Sequence, residues 1–326
     1  MKCKICESDQ FFPAIVVKEM MFGSRNTYRY IQCESCLCLQ LIEKETNQAK
    51  LYPKLYYSFN TYQQNSVKSL IKRFVIKQSV AKALGKSNLF FSALAQQKRQ
   101  SGAHALKGII NKTSSILDVG CGDGKLIDAL SSCGYQHLMG IDPFLDKDFT
   151  CEKYNLLKKN IDDLPSKEQF DVIMMHHSFE HVDNPFEVMH HVKRLLKPNG
   201  VFILRIPVAD SFAFKKYQAN WVQLDAPRHI FLHSNTSIKL IAKQNDLKIT
   251  GIIDDSTAFQ FIGSEQYLHG ISLDDSRSFF VSPLKKTIFN KKHIFSRAQI
   301  KSFHQQAEAL NKTGKGDQRI FYLKHN

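Results

Sequence analysis

Two pairs of cysteines near the start of the chain have the spacing of a metal site. Cys3 and Cys6 form one C-x2-C pair, and Cys33 and Cys36 form a second pair after 26 intervening residues. Each such turn directs two thiolates toward one point, so the pairs together supply the four sulfur ligands that tetrahedral Zn²⁺ prefers. Four protein ligands leave no open position for water. The pattern therefore predicts a structural zinc ion in a small zinc ribbon.

A glycine-rich segment in the middle of the chain has the character of a ligand-binding turn. An apolar run that contains Asp118 leads into three alternate glycines, Gly120, Gly122 and Gly124, and residues typical of a helix follow. Glycines at these positions permit a tight turn and a close approach of a ligand to the backbone. A second apolar run ends at Asp142, where a carboxylate is well placed to bind two ribose hydroxyls.

Apolar runs and helical segments alternate through this part of the chain. The first, second, fourth and fifth predicted strands are residues 115–119, 138–142, 170–175 and 201–206, and the third is expected to end within residues 159–165. Strands that alternate with helices predict an α/β fold with a doubly wound parallel sheet, whose ligand lies at the carboxyl ends of the strands. Only nineteen residues separate Asp142 from Asp162, and Pro143 follows the first acid at once. The crossover helix between these strands is therefore expected to be very short or absent.

The order of these motifs resembles that of the class I S-adenosylmethionine-dependent methyltransferases. The segments D-V-G-C-G-D-G, G-I-D, F-D-V-I-M-M-H-H-S-F-E-H-V and L-L-K-P-N-G occur in that order between about residues 111 and 255. The resemblance implies a Rossmann-like methyltransferase sheet whose last strand is residues 319–323. A dinucleotide-dependent oxidoreductase has a related sheet, but its G-x-G-x-x-G motif requires a glycine where Lys125 stands.

The resemblance also implies which residues bind the cofactor. Asp118 and the backbone of the glycine-rich turn are expected at its amino-acid end, and Asp142 at the ribose. Ile161 and Asp162 are expected to flank the adenine. The full set expected to bind S-adenosylmethionine is Asp118, Gly120, Cys121, Gly122, Gly124, Asp142, Ile161, Asp162, His177 and Ser178.

Several histidines follow the fourth predicted strand. Residues 177–181 match the H-x-x-E-H pattern of some metalloproteases. That pattern requires one long helix, whereas this segment leaves a strand directly and the next helix restarts near Pro185. A catalytic metal on this pattern is therefore disfavoured. His181 is interpreted either as a residue that orients the cofactor loop or as a general base, with Glu180 as a carboxylate that orients a catalytic histidine.

A second candidate site follows the fifth predicted strand, at the same edge of the sheet. Residues 221–234 contain the only tryptophan of the chain together with Arg228 and His229. His229 is a second candidate for the general base. The alternative interpretation is an ordinary helix start capped by Ser234. Substrate contacts are predicted for Arg205, Trp221, Arg228, Tyr56 and Tyr57.

The positive charge of the chain is concentrated in one segment. The 326 residues carry a net charge of +15, but residues 46–110 contain eleven basic and no acidic side chains. We therefore divide the chain into a zinc ribbon (1–45), a basic helical linker or lid (46–110) and a methyltransferase domain (111–326) with an insertion at about 256–317. Three interpretations of the basic segment remain open: a solvated face, a lid over a phosphorylated substrate, or peripheral contact with an anionic membrane.

The sequence also predicts a location. It has no run of 18 apolar residues, and residues 1–7 lack the apolar region of a signal peptide. We therefore expect a cytoplasmic protein whose eight cysteines form no disulfides.

The ribbon and the segments around Glu180 and Arg228 are similar to those of bacterial methyltransferases of sugar and surface-polysaccharide biosynthesis, including nucleotide-sugar C-methyltransferases. This narrower resemblance implies an anionic acceptor, either a nucleotide-linked or a lipid-linked sugar. RNA base methylation is the competing function. It is disfavoured because the ribbon is neutral and no N/D-P-P-Y/F motif follows the fourth strand. A non-catalytic binding protein on this scaffold is a third possibility. The acceptor atom and the oligomeric state stay open.

Overall fold

The computed structural model describes residues 1–43, 67–85, 102–280 and 293–326, which form two β-sheets and the helices packed around them. The strands are β1 Ile15–Lys18, β2 Thr27–Gln32, β3 Leu39–Leu41, β4 Ser115–Val119, β5 His137–Ile141, β6 Phe149–Cys151, β7 Tyr154–Leu157, β8 Phe170–His176, β9 Leu196–Pro207, β10 Phe231–Leu232, β11 Leu247–Asp254 and β12 Gln318–His325. The helices are α1 Val67–Ala83, α2 Lys125–Ser132, α3 Pro185–Leu195, α4 Phe212–Tyr217, α5 Asn235–Gln244, α6 Phe259–Leu268 and α7 Arg297–Lys312.

The larger sheet has eight strands in the order β11-β12-β9-β8-β4-β5-β7-β6. Strands β9, β8, β4, β5 and β7 run parallel to one another, and β12 is antiparallel to both of its neighbours. Successive residues of β4 are buried on opposite faces, since Ile116 belongs to one hydrophobic core and Leu117 to the other. A sheet that is covered on both faces is the doubly wound α/β architecture that the sequence predicted, and that prediction is confirmed.

The third strand of the parallel series lies earlier in the chain than expected. Residues 159–165 form no strand, and β7 ends at Leu157 instead. Strand β6 pairs with β7 as an antiparallel hairpin, and β7 then lies parallel to β5. The short chain between Asp142 and Tyr154 thus forms a hairpin. The expectation that no substantial crossover helix occupies this connection is confirmed.

The smaller sheet joins the N-terminal residues to a distant loop. Its order is β1-β2-β3-β10, and all of its strand pairs are antiparallel. Strand β10 belongs to the segment 221–234, in which the sequence predicted a second site. The backbone NH of Leu41 also donates to the carbonyl of Ile230. The N-terminal segment and this loop are therefore parts of one sheet.

The basic segment contributes helix α1, and residues 256–317 contribute helices α6 and α7. Val80 of α1 and Leu84 just after it are buried in the hydrophobic core that contains α2. Phe261 of α6 stacks on Phe303 of α7 at a centroid distance of 5.6 Å. Across the described ranges, no helix is both long and apolar enough to cross a membrane. Tyr56 and Tyr57 lie outside the described residues, so their substrate contact and the membrane contact of the basic segment stay predictions.

Candidate active site

The turn between β4 and α2 lies against the carboxyl end of β5. The backbone NH groups of Gly120 and Cys121 donate to the carbonyl oxygen of Ile141 at 2.8 and 3.1 Å. Gly120 has a φ of 77°, and a Cβ atom built on it would lie 2.5 Å from Cβ of Ser178. A side chain would therefore be both strained and sterically excluded here, and only glycine lets this turn meet the loop after β8.

Two buried acids lie beside this turn. The Asp142 carboxylate accepts hydrogen bonds from the backbone NH groups of Gly122 and Phe144, each at 2.9 Å. Burial, together with the nearby charge of Asp142, raises the pKa of Asp118 to about 7. The two backbone contacts hold the Asp142 carboxylate in one orientation at the end of β5. This is the position and the kind of group that binding of a ribose diol requires.

The residues expected near the adenine lie in a turn after β7. Ile161 is buried, and its carbonyl oxygen lies 3.5 Å from Nη2 of Arg194. Asp162 is exposed. The Cys121 side chain packs on β5, since a Cβ atom built on Gly140 would lie 2.8 Å from its sulfur. Any ligand contact of Cys121 would therefore come from its backbone. The cofactor contacts of Ile161 and Asp162 stay predictions.

The loop after β8 is tied to both neighbouring strands. Ser178 Oγ donates to the carbonyl oxygen of Val119 at 2.9 Å, and the His177 backbone NH donates to the carbonyl oxygen of Arg205 at 2.9 Å. His177 has a φ of 54°, in the left-handed region. These contacts turn the chain sharply at the sheet edge, where the short 3-10 turn Phe179–His181 follows.

Glu180 and His181 of that turn meet His229, and we call these three residues the Glu–His cluster. One potential ligand atom from each residue lies within 4.8 Å of the others. His229 Nε2 is 3.8 Å from Glu180 Oε1, and the two imidazole rings meet edge to face at a centroid distance of 4.8 Å. Glu180 and His229 are buried, whereas His181 is half-buried. The structure thus unites the two sites that the sequence predicted separately.

Backbone carbonyl groups fix the tautomers of both histidines. His181 Nδ1 lies 2.9 Å from the carbonyl oxygen of Arg228, and His229 Nδ1 lies 2.7 Å from that of Gln223. A carbonyl oxygen only accepts, so each neutral ring carries its proton on Nδ1 and has a basic Nε2. Burial and the charge of His181 lower the pKa of His229 to about 4. His229 is therefore a neutral base at pH 7.

Glu180 places a negative charge in the protein interior. Its side chain is fully buried, and His177 Nδ1 lies 3.3 Å from Oε1. Burial raises the pKa of this carboxyl, but His177, His229 and His181 outweigh burial and lower it to about 2. Among the described residues, neither carboxylate oxygen has a hydrogen-bond partner of good geometry. Nearby imidazoles thus compensate the negative charge of Glu180, although none of them donates a hydrogen bond of good geometry to its carboxylate.

Arg228 is part of a buried ion-pair network. Its Nε lies 3.0 Å from both carboxylate oxygens of Asp225, and its Nη2 lies 3.0 Å from Glu19 Oε1. Only 3% of Arg228 is exposed. In this geometry the guanidinium holds the loop to the N-terminal segment, and the predicted contact of Arg228 with an anionic substrate stays untested.

Arg205 and Trp221 also lie in the interior. Arg205 Nε donates to Asp255 Oδ2 at 2.6 Å. Trp221 is fully buried, and its Nε1 donates to Asp317 Oδ2 at 3.0 Å. The indole thus joins the loop to the chain just before β12. Substrate contact by the Trp221 ring would require a different conformation, so it stays a prediction, as does the contact of Arg205.

The four predicted metal ligands converge at the N-terminus. The Cys3 and Cys36 sulfurs are 3.6 Å apart, and the Cys6 and Cys33 sulfurs are 3.5 Å apart. All four lie within 4.8 Å of one another. Zinc–sulfur bonds of about 2.3 Å place tetrahedral sulfur ligands about 3.8 Å apart. These cysteines therefore have the spacing to hold a zinc ion. Cys38 is buried outside the cluster.

The structure adds two positioning contacts that sequence reasoning missed. The Tyr30 hydroxyl donates to the carbonyl oxygen of His229, and Glu19 binds Arg228. The partners are 199 and 209 positions apart in the chain. No local motif marks Tyr30 or Glu19, because the pairing of β3 with β10 alone brings them to the loop.

The chain is similar to known methyltransferases over part of its length. Residues 90–251 match the family model of a methyltransferase domain. The chain is similar to the ubiquinone biosynthesis O-methyltransferase of Rickettsia bellii, with 33% identity over 97 residues that cover 27% of this chain and 40% of that protein. The mitochondrial ubiquinone biosynthesis O-methyltransferase of Dictyostelium discoideum is 28% identical over 112 residues, which cover 28% of this chain and 35% of that protein. The chain thus spans less than half of the length of either relative.

Among solved structures, the chain is similar to an O-methyltransferase from a trans-AT polyketide synthase multienzyme of Brevibacillus brevis, in complex with S-adenosyl-L-homocysteine. The TM-score is 0.43 at 13% identity, and the match covers 82% of each chain. A likeness at this level carries no argument about the acceptor.

Proposed function

We propose that this chain is a class I S-adenosylmethionine-dependent methyltransferase that transfers the sulfonium methyl group to a hydroxyl of a small-molecule acceptor. The match of residues 90–251 to the family model of a methyltransferase domain supports the first part of this proposal. One observation carries the proposal. At the carboxyl edge of the parallel strands, the oriented Asp142 carboxylate and the glycine-rich turn lie against the loop after β8, whose His181 meets the buried imidazole of His229.

The residues fit the cofactor on one side of this edge. Asp142 would bind the ribose hydroxyls, and the backbone between Gly120 and Gly124 would face the amino-acid end. When bound, S-adenosylmethionine supplies a methyl group on a positively charged sulfur. The tight contact of Gly120 with Ser178 would leave the backbone, rather than a side chain, to line that end of the site.

The Glu–His cluster would serve the acceptor. An oxygen that forms a bond to the methyl carbon must lose its proton, and a neutral imidazole is suited to take it. His229 Nε2 and His181 Nε2 are the candidate bases, because each ring carries its other proton on a nitrogen directed at a backbone carbonyl. Glu180 would stabilise the resulting imidazolium, since its carboxylate lies 3.8 Å from His229.

We propose a nucleotide-linked or lipid-linked sugar as the acceptor. The narrower resemblance of the N-terminal cysteine unit and the loop around Arg228 supports this, and the acid-free segment 46–110 suits an anionic substrate. A hydroxyl on a quinone precursor is the second candidate, because the two relatives are named as ubiquinone biosynthesis O-methyltransferases. Those similarities leave more than two thirds of this chain uncovered.

We also propose that the four N-terminal cysteines hold a structural zinc ion. The paired sulfur distances support it, and four thiolates would close the coordination shell. The ion would stabilise the short strands that pair with β10. In this role zinc would act on the loop around His229 only through the small sheet.

Calorimetry with S-adenosylmethionine tests the cofactor site. The wild-type chain should bind the cofactor, and Asp142→Asn should bind roughly 10- to 150-fold more weakly, because hydrogen bonds to a charged group contribute roughly 1.5–3 kcal/mol. Asp146→Asn, at an exposed position of the following loop, should bind like the wild type. Absence of binding by the wild-type chain would refute the proposed function.

A screen with labelled methyl groups tests the acceptor. Nucleotide sugars, lipid-linked glycans, a hydroxylated quinone precursor and transfer RNA are offered separately to the full chain. Transfer to a sugar supports the first candidate, and transfer to the quinone precursor supports the second. Transfer to RNA alone would replace both with RNA methylation. Cofactor binding without transfer to any acceptor class would favour a non-catalytic binding protein.

A further inference from the structure

The Glu–His cluster brings together basic atoms from two parts of the chain. We propose that Glu180, His181 and His229 bind one divalent transition-metal ion of the zinc class, at a site separate from the four cysteines. The three potential ligand atoms lie within 4.8 Å of one another. Small side-chain rotations would bring them to bonding distance of a shared ion, since zinc–nitrogen and zinc–oxygen bonds are about 2.0–2.2 Å long.

The tautomers of His181 and His229 favour binding of a metal ion through Nε2. Metal-binding histidines usually donate their second ring NH to a carbonyl or carboxylate, which orients the ring and makes the ligand nitrogen more basic. His181 and His229 both show this arrangement, with Nδ1 at 2.9 and 2.7 Å from backbone carbonyl oxygens. Both rings are therefore prepared to present Nε2 as an electron-pair donor.

The Glu180 carboxylate provides the second, independent observation. It is fully buried, and within the described part of the chain neither oxygen has a hydrogen-bond partner. A buried charge of this kind is costly unless an opposite charge or a donor compensates it. His177 lies 3.3 Å from one oxygen, but its approach does not make a hydrogen bond of good geometry. A divalent cation would compensate the carboxylate directly.

The other charged groups nearby are already engaged. Asp225 Oδ2 lies 3.9 Å from His229 Nε2, but this carboxylate is bound by Arg228 Nε and Nη2. The positive charge of Arg228 is thus directed at Asp225 and Glu19. Asp142, at the same edge of the sheet, accepts hydrogen bonds from two backbone NH groups, whereas both oxygens of Glu180 lack a hydrogen-bond partner among the described residues.

The donor set selects the kind of metal. Two imidazole nitrogens and one carboxylate suit zinc and other first-row transition metals, whereas calcium and magnesium prefer oxygen ligands. The geometry differs from the H-x-x-E-H helix that the sequence suggested, because Phe179–His181 is a single 3-10 turn and His229 comes from the other loop. The site therefore depends on tertiary structure alone.

Occupancy would have a consequence for catalysis that rests on the proposed function. The ion would take the same Nε2 electron pairs that would otherwise accept the proton of the acceptor hydroxyl. A bound ion and that proton would thus compete, and zinc added beyond the cysteine site should inhibit methyl transfer reversibly. Metal binding itself does not depend on methyl transfer and can be measured without an acceptor.

Cobalt titration of the full zinc-loaded chain, followed by visible absorption, tests the site. Wild type should bind one further equivalent of Co²⁺ with a spectrum free of thiolate charge transfer. Glu180→Gln and His181→Ala should each weaken this binding about tenfold or more. Glu180→Gln keeps the side-chain volume, and His181 is only half-buried. Each variant is therefore expected to fold, for a different reason. His190→Ala, at an exposed position of α3, should bind like wild type.

Two results would overturn the proposal: no further equivalent bound by the wild type, or undiminished binding by both cluster variants when circular dichroism shows them folded. Inhibition by zinc is measured on the same preparations with S-adenosylmethionine and the acceptor. If the wild type binds Co²⁺ but, with the cluster free of added metal, transfers no methyl group to any acceptor of the screen, the proposed function is refuted and the metal site stands. Methyl transfer by a wild-type chain that binds no further Co²⁺ would support the proposed function and refute the metal site.

Discussion

The Tyr30 hydroxyl donates a hydrogen bond of 2.8 Å to the carbonyl oxygen of His229, across 199 positions of sequence. Tyr30 is fully buried on β2, so this bond is shielded from water. It acts on the backbone of the same residue whose imidazole faces Glu180. The N-terminal sheet therefore positions the candidate base through a specific contact.

We expect Tyr30→Phe to lower the free energy of unfolding by about 1 kcal/mol and turnover severalfold. The change removes one buried hydrogen bond and leaves the His229 carbonyl without its donor. Denaturant unfolding and steady-state kinetics measure the two effects. Tyr28→Phe removes the same atom from a half-buried position on the same strand and serves as the control. Equal turnover of the two variants would contradict the positioning role.

Loss of one of the four N-terminal cysteines should alter the loop around His229, although the two are far apart in the chain. Cys6→Ser should release the zinc ion that we propose for the four cysteines, lower the melting temperature and reduce turnover, because metal binding is coupled to folding of such small units. Metal analysis, calorimetric melting and activity assays check these outcomes. Cys151→Ser, at an exposed position on β6, should change none of them. Unchanged turnover in a zinc-depleted Cys6→Ser chain would show that the ribbon does not position the loop.

Gly120→Ala should abolish detectable cofactor binding. An added Cβ atom would lie 2.5 Å from Ser178 Cβ, so the turn after β4 and the loop after β8 would have to separate. Gly108→Ala is a matched control, because Gly108 has a φ of 75° with no atom within 4 Å of an added Cβ. Both variants carry a backbone cost of about 1–2 kcal/mol for a left-handed conformation. Calorimetry with S-adenosylmethionine should show binding by Gly108→Ala alone. Similar affinity of the two variants would refute the close-contact argument.

Stability of the ligand-free protein should depend on the ionisation of Asp118. Burial and the charge of Asp142 raise its folded-state pKa from 3.8 to about 7. Between these two values the folded chain binds more protons than the unfolded chain, so this group makes the free energy of unfolding fall as pH rises. The loss is complete above about pH 7 and amounts to at most about 4 kcal/mol.

Asp118→Asn removes this titration. From about pH 5 to about pH 8 the wild type should lose unfolding free energy that the variant keeps. The difference in unfolding free energy, variant minus wild type, measured in urea, should therefore be larger at about pH 8 than at about pH 5. Asp146→Asn is the control, since Asp146 is exposed and its removal should leave the pH dependence unchanged. Parallel pH curves for the wild type and Asp118→Asn would contradict the raised pKa.

Several local elements of the fold were readable from the sequence. The glycine turn, helix α2 and the helix start at Pro185 depend on residues adjacent in the chain, and the structure has them where they were expected. Ser234 also caps α5 with a full capping box. The sequence placed the third strand too late in the chain. In the structure the strand that pairs with β5 is β7, which is part of the β6–β7 hairpin and ends at Leu157.

The sequence by itself determined the α/β sheet architecture, the glycine turn with Asp142, and the two C-x2-C pairs that converge at the N-terminus. Each follows from local spacing and residue type. The tertiary structure decided that Glu180 meets His229 and that Tyr30 and Glu19 hold the loop around it. The same folding placed Arg228 and Trp221 inside the protein, where they contact Glu19 and Asp317. These contacts join residues far apart in the chain, and only the packing of the small sheet against the large one sets their distances.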